Sequence, residues 1–189
     1  MAEGVLYASQ RDTRRAARAY REAIALKPDR PEAYYNLGVV LNHSGHGVEA
    51  AQRYLGARER LPVGSDRWAM ATAAAFITLT QYACAEVAKP EWWNDAGLKA
   101  LSARVVRAAP NDESANTMRA LVLSGFGGAW EAGPRSAADL KEAAAYFDRS
   151  VAMYNAPAAK PDHASFAATC RSQAEAMYKA GKVYTPHTF

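Results

Sequence analysis

Residues 28–62 read PDRPEAYYNLGVVLNHSGHGVEAAQRYLGARERLP. Two runs with apolar residues at helical spacing flank the turn Asn42-His43-Ser44-Gly45-His46-Gly47, and prolines Pro28 and Pro62 bracket the whole. Proline disfavours helix in the residue before it, so the stretch predicts two helices, near 31–44 and 47–60, closed off at Pro62. Shifted by 34 residues, the chain matches itself: Gly4 falls on Gly38, Ala16 on Ala50, Tyr20 on Tyr54, Ala23 on Ala57, Pro28 on Pro62 and Tyr34 on Trp68. Two antiparallel helices of about a dozen residues each, with their turns, use up about that length. Small residues such as Gly38 and Ala50 mark where such helices come closest, and the tyrosines fill the gaps between neighbouring pairs.

The rest of the composition agrees. The 189 residues include 43 Ala, the strongest helix former, and few β-branched residues, so the fold class is all-α. Half the residues are apolar and 22% charged, which excludes a wholly disordered chain. Cys84 and Cys170 stand alone, without the partners that a disulfide framework or a zinc ribbon needs. The net charge of +4 permits an acidic partner without requiring nucleic acid. The first ten residues lack the basic start and apolar run of a secretory signal, so a cytoplasmic location is expected. The longest uncharged stretch, Trp68–Ala85, is 18 residues of mostly Ala and Thr, too weakly apolar for lipid; a buried helix is expected there, and no membrane contact.

Tyr34-x2-Leu37-Gly38-x2-Leu41, Ala50-x3-Tyr54 and Pro62 form one complete unit of a pattern that resembles the tetratricopeptide repeat. Gly4-x2-Tyr7, Ala16-x3-Tyr20 and Pro28 carry most of a preceding unit, whose opening aromatic slot falls before Met1. Trp68-x2-Ala71-Thr72-x2-Ala75 opens a looser third unit. An offset of 82 then aligns Pro28 with Pro110, Ile24 with Val106 and Ala33 with Ala115, which implies about 14 inserted residues. The insertion is expected to lengthen the helix over 65–88 and to start the next at Pro90, over 91–108. A fourth unit is expected over 111–157, with helices 112–125 and 137–155 around a Gly/Pro-rich loop, Phe126–Arg135. Ser136-x2-Asp139 is a capping box. A terminal helix is expected over 162–180.

The resemblance therefore implies a right-handed superhelix of antiparallel helix pairs, about four repeats plus a C-terminal helix. It forms a single domain over 1–181, divided as 1–30, 31–64, 65–110, 111–157 and 162–180, with a tail over 182–189. It also implies a non-catalytic scaffold or adaptor that holds a peptide or helix of a partner protein in the groove lined by the first helix of each pair. Carried across residue by residue, that groove comprises Tyr35, Val39, Asn42 and His43, then Asp66, Ala69 and Ala73, then Ser114 and Thr117. A clamp for a C-terminal carboxylate, known in the family, keeps its middle Asn at Asn36. Met1, Asp66 and Met70 stand where its cations belong, and Asp66 would repel a carboxylate. A structural subunit of a larger assembly is the alternative, or a fragment of a longer array.

Other residues carry less chemistry. His43 and His46 lie in a turn without an acidic or thiol ligand nearby, so no metal is expected. His163 and Cys170 are seven residues apart, about 10.5 Å along a helix, too far for a nucleophile and its base. No phosphate-cradling glycine motif or converging triad appears, so neither a cofactor nor catalysis is expected. Arg11, Arg14, Arg15, Arg18 and Arg21 form a basic stripe on one helix. It reads as a solvated face, and nucleic-acid binding through it is a remote alternative. Trp92 and Trp93 are a possible accessory anchor for a partner, but aromatics beside helix ends more often pack inward.

Overall fold

The computed structural model describes residues 1–127, 129–153 and 161–180, and every regular element among them is helical. The chain divides into two compact units, one spanning Met1–Ala88 and the other beginning at Lys89. The first unit holds α1 (Ala2–Ser9), α2 (Thr13–Leu26), α3 (Pro31–His43), α4 (Gly47–Glu59) and α5 (Asp66–Leu79). Local chemistry sets these ends. The Asp12 carboxylate accepts from the Arg15 N–H at the start of α2, Pro31 occupies the first turn of α3, and the Ser65 hydroxyl accepts from the Trp68 N–H to start α5. Between α3 and α4 the chain turns at Gly45, whose φ of +78° a side chain would strain.

The 34-residue register reappears as packing. A Cβ added at Gly4 would lie 2.5 Å from the Tyr20 ring, and one at Gly38 would lie 2.8 Å from the Tyr54 ring. In each pair, then, the first helix can meet the second so closely only because it carries no side chain there. Ala16 and Ala50 are wholly buried beside these contacts, in a core with Leu37, Leu41 and Tyr54. The link between the pairs is pinned at one carbonyl. Tyr34 Oη and Arg60 Nε both donate to the Pro28 oxygen, at 2.9 and 2.7 Å, and the Arg60 guanidinium lies 4.1 Å over the Tyr34 ring.

The second unit holds α6 (Asp95–Ala108), α7 (Glu113–Ser124), α8 (Ala137–Ala152) and α9 (Pro161–Ala180). The 82-residue offset lays α2 onto α6 end for end. It also reproduces the pinned carbonyl: Asn116 Nδ2 donates to the Pro110 oxygen at 2.9 Å, where Tyr34 served Pro28. The capping box at Ser136 and Asp139 forms, with both reciprocal bonds present. Leu140, Ala143, Phe147, Ala167, Cys170 and Ala174 make the core between α8 and α9. Arg135, wholly buried, fastens the loop before α8: it donates to both oxygens of Asp95 on α6, to the Gly133 carbonyl and to the Val122 carbonyl on α7.

Two expectations about the insertion are corrected. The helix expected over 65–88 ends at Leu79, and the next begins at Asp95 rather than 91. The extra residues form a connection without α-helix that holds one 3₁₀ turn, at Tyr82–Cys84. Tertiary contacts override the helical propensity of its alanines. Gln81 is extended, its amide donates to Asn42 Oδ1 at 3.4 Å, and Cys84 is wholly buried; atoms of both lie close to Gly47 at the start of α4. Pro90 opens a turn, with the Trp93 N–H donating to its carbonyl at 2.8 Å, and Asn94 caps α6 by accepting from the Gly97 N–H. The expected end of the fourth unit at 154–157 and the tail over 182–189 lie outside the described residues.

Candidate functional site

In the first unit α4 packs against both α3 and α5. Between α3 and α5 this leaves an open cleft of about 290 Å³. Pro31, Tyr35, Leu61 and Met70 give it an apolar lining, and Glu32, Asn36, Asp66 and Arg67 its polar edge. Tyr35 is held by its ring against Tyr54, centroids 5.5 Å apart and tilted by 59°. Burial first, and the neighbouring Tyr35 second, push the Tyr54 hydroxyl well above its ordinary pKa of 10.0, so this support stays neutral. Arg67 Nη1 donates to Glu32 Oε1 at 2.8 Å across the cleft, from α5 to α3, and the Arg67 N–H donates to Asp66 Oδ1 at 2.7 Å. The Asn36 amide makes no hydrogen bond among the described residues, which leaves a donor and an acceptor facing an apolar wall.

The residues expected to line a groove do not all gather there. Tyr35 and Asp66 line this cleft; so do Asn36 and Met70. Val39, Asn42 and His43 lie at the far end of α3, where His43 Nδ1 is 2.9 Å from the Val39 carbonyl and Asn42 meets Gln81. Ala69 and Ala73 are wholly buried, so neither offers surface to a ligand; the residue-by-residue transfer that assigned them does not fix which way α5 is rotated. Ser114 and Thr117 belong to the second unit, where Thr117 is buried and donates to Glu113 at 2.8 Å. Leu61, which closes the cleft from the turn after α4, carries no repeat signal that would single it out.

Trp92 and Trp93 are half-buried. Trp93 Nε1 donates to the Ala129 carbonyl at 2.8 Å, and its ring meets buried Trp130 edge-on at 6.4 Å, so it braces the loop that Arg135 fastens. Asp95, at the centre of that fastening, is itself perturbed. Burial raises its carboxyl, but the hydrogen bonds and charges of Arg135 and Lys99 outweigh this and hold it below its ordinary 3.8. No group of three or more His, Cys, Asp or Glu among the described residues is placed to hold a metal. Burial pushes the Cys170 thiol up to about 11, more than the nearby Arg171 lowers it, so it remains an inert thiol at neutral pH. No helix among the described residues is long and apolar enough to cross a membrane.

Residues 1–64, which contain the Gly–Tyr contacts and the pinned Pro28 carbonyl, match the tetratricopeptide repeat family. That stretch, about a third of the chain, is tetratricopeptide repeat sequence. The chain is also similar to a solved structure, a MamA RS-1 ArsTM double mutant, with a TM-score of 0.52 over 95% of this chain and 92% of that one. Identity between the two is 15%, so this likeness speaks for the fold alone. No curated protein matches the chain. Tetratricopeptide repeats generally mediate protein–protein interaction, and the repeats here present an open cleft with both apolar and hydrogen-bonding surface.

Proposed function

We propose that the protein is a non-catalytic adaptor, and that the cleft between α3 and α5 takes a short segment of a partner protein. The observation that carries this reading is the cleft itself: Tyr35, Leu61 and Met70 form an apolar wall, and the Asn36 amide beside it is left without a partner among the described residues. A peptide brings what this surface lacks, an apolar side chain for the wall and a main-chain N–H and C=O for the amide. The Glu32–Arg67 pair spans the cleft and orients its edge. Both partners of that pair are largely exposed, so it guides register more than it adds affinity.

Selection of a random peptide library on the immobilised protein tests this. A recurrent sequence should emerge, and its affinity should drop at least about ten-fold when Met70→Glu puts a charge on the apolar wall, with the melting curve preserved. Selection that yields nothing recurrent, or peptides indifferent to Met70→Glu, would refute the reading.

A further inference from the structure

The arginine stripe on α2 is only partly neutralised. Arg15 pairs with Asp12 at 3.4 Å, Arg18 with Glu22 at 2.9 Å and Arg21 with Glu49 at 3.0 Å. The side chains of Arg11 and Arg14 make no ion pair or hydrogen bond among the described residues. Arg21 reaches both oxygens of Glu49 and Arg53 shares Oε1 at 3.3 Å, so two guanidinium groups share one carboxylate and a positive charge is left over there as well.

Arg14 and Arg21 both line a second cleft, of about 500 Å³, formed by α2 with the end of α3 and the α3–α4 turn. They stand two helical turns apart on one face, about 10.5 Å along the axis. Buried Ala17, Val40 and Leu41 give the cleft a fixed floor. Thr13 and His46 stand at its rim, and neither side chain makes a hydrogen bond among the described residues. The His46 main chain is held by its own N–H, which donates to the Leu41 carbonyl at 2.9 Å. No acidic residue lines this cleft.

We propose that this cleft binds a phosphoryl group carried on a side chain of a partner protein. A guanidinium fork offers paired donors to phosphate oxygens, and a hydroxyl and an imidazole N–H add single ones; an apolar floor accommodates the carbon chain that bears the group. The cleft has the volume of a small-ligand site. A nucleic-acid track is the less fitting occupant. It requires a run of unpaired cations that meets several successive phosphates, and here three of the five arginines of α2 already hold carboxylates. The site is separate from the α3–α5 cleft, so it stands or falls independently of the adaptor reading.

Backbone amide NMR of the full chain tests it, with inorganic phosphate, a capped phosphoserine amide, capped serine amide and a single-stranded oligonucleotide as probes. Phosphate and phosphoserine amide should give saturable shifts that centre on Thr13, Arg14 and Ser44–Gly47, and serine amide none. Arg14→Ala should weaken phosphoserine binding at least about ten-fold, the order expected for one lost charged hydrogen bond; Arg18→Ala, which removes a paired arginine, should leave it unchanged. Both residues are exposed, so neither variant threatens the fold. Shifts that do not saturate, or equal losses in the two variants, would overturn the site. Tighter binding of the oligonucleotide, with a salt dependence of several counterions, would assign the face to nucleic acid instead.

Discussion

Gly38→Ala adds one methyl group at the centre of the best-formed repeat. In an exposed helix interior this change stabilises by about 0.5–1 kcal/mol, because alanine loses less conformational freedom on folding. Here the new Cβ would sit 2.8 Å from both Cδ1 and Cε1 of Tyr54, close to 1 Å inside the usual carbon contact distance. The ring has no room to yield, since Tyr54 is only 4% exposed and Tyr35 packs against it. Relief must come from parting α3 and α4, and overpacking of that kind costs about 1–3 kcal/mol. The net expectation is a loss of about 1–2 kcal/mol. Urea unfolding followed by circular dichroism should show a lower midpoint with an unchanged slope. The same substitution in a Tyr54→Leu background, where the ring edge is gone, should be neutral or stabilising, so the double-mutant cycle should report a coupling of about 1 kcal/mol or more. Stabilisation by Gly38→Ala in the native background would show that the helices do not approach at this point, and the 34-residue register would lose its physical basis.

Replacing Arg135 by Met should destabilise the second unit by about 3 kcal/mol, because it leaves the Asp95 carboxylate with Lys99 alone and takes the side-chain donor from the Val122 carbonyl; Asp95→Leu in addition should recover part of this in a thermal melt. Asp95 has a folded pKa below its ordinary 3.8, so its contribution is fully present above that value and is lost as pH falls through the lower folded one; Asp95→Asn should flatten the acid limb of a stability-versus-pH curve. Glu49, where burial raises the carboxyl but Arg21 and Arg53 together lower it further, should act with the same sign in the first unit, so Glu49→Gln should flatten the limb there. Trp93→Ala should cost about 3 kcal/mol, since Trp93 donates to Ala129 and packs on Trp130; an unchanged melting curve would contradict that assignment.

Much of the first unit is legible in the residues because its chemistry is local. Asp12, Pro31 and Ser65 mark helix starts within three residues of the bonds they make, and Gly38 and Tyr54 recur at a fixed spacing. The insertion is not legible in the same way. Thr80–Asn94 contains three alanines, and what keeps it from continuing α5 is contact with α4, more than thirty residues earlier. Arg135 was equally silent, a lone arginine in a Gly/Pro loop whose partner lies 40 residues away. The candidate cleft was half legible. Transfer from the repeat pattern places residues on the first helix of each pair but does not fix its rotation, which is why Tyr35 and Asp66 face the opening and Ala69 and Ala73 do not.

The carbonyls of Pro28 and Pro110 are approached by the same reach across six residues, from a phenol in one case and from an amide in the other. What the two halves of the molecule share at this joint is an unoccupied oxygen before a helix and a donor of the right length one turn into it. Such a joint tolerates exchange of the side chain as long as the donor survives. Residue-by-residue likeness can therefore fade after position 64 while the design of the joint persists. Tyr34→Phe and Asn116→Leu, which keep bulk and remove the donor, should weaken both joints, the first less because Arg60 still donates to the Pro28 oxygen, although no amino-acid alphabet would score tyrosine and asparagine as kin.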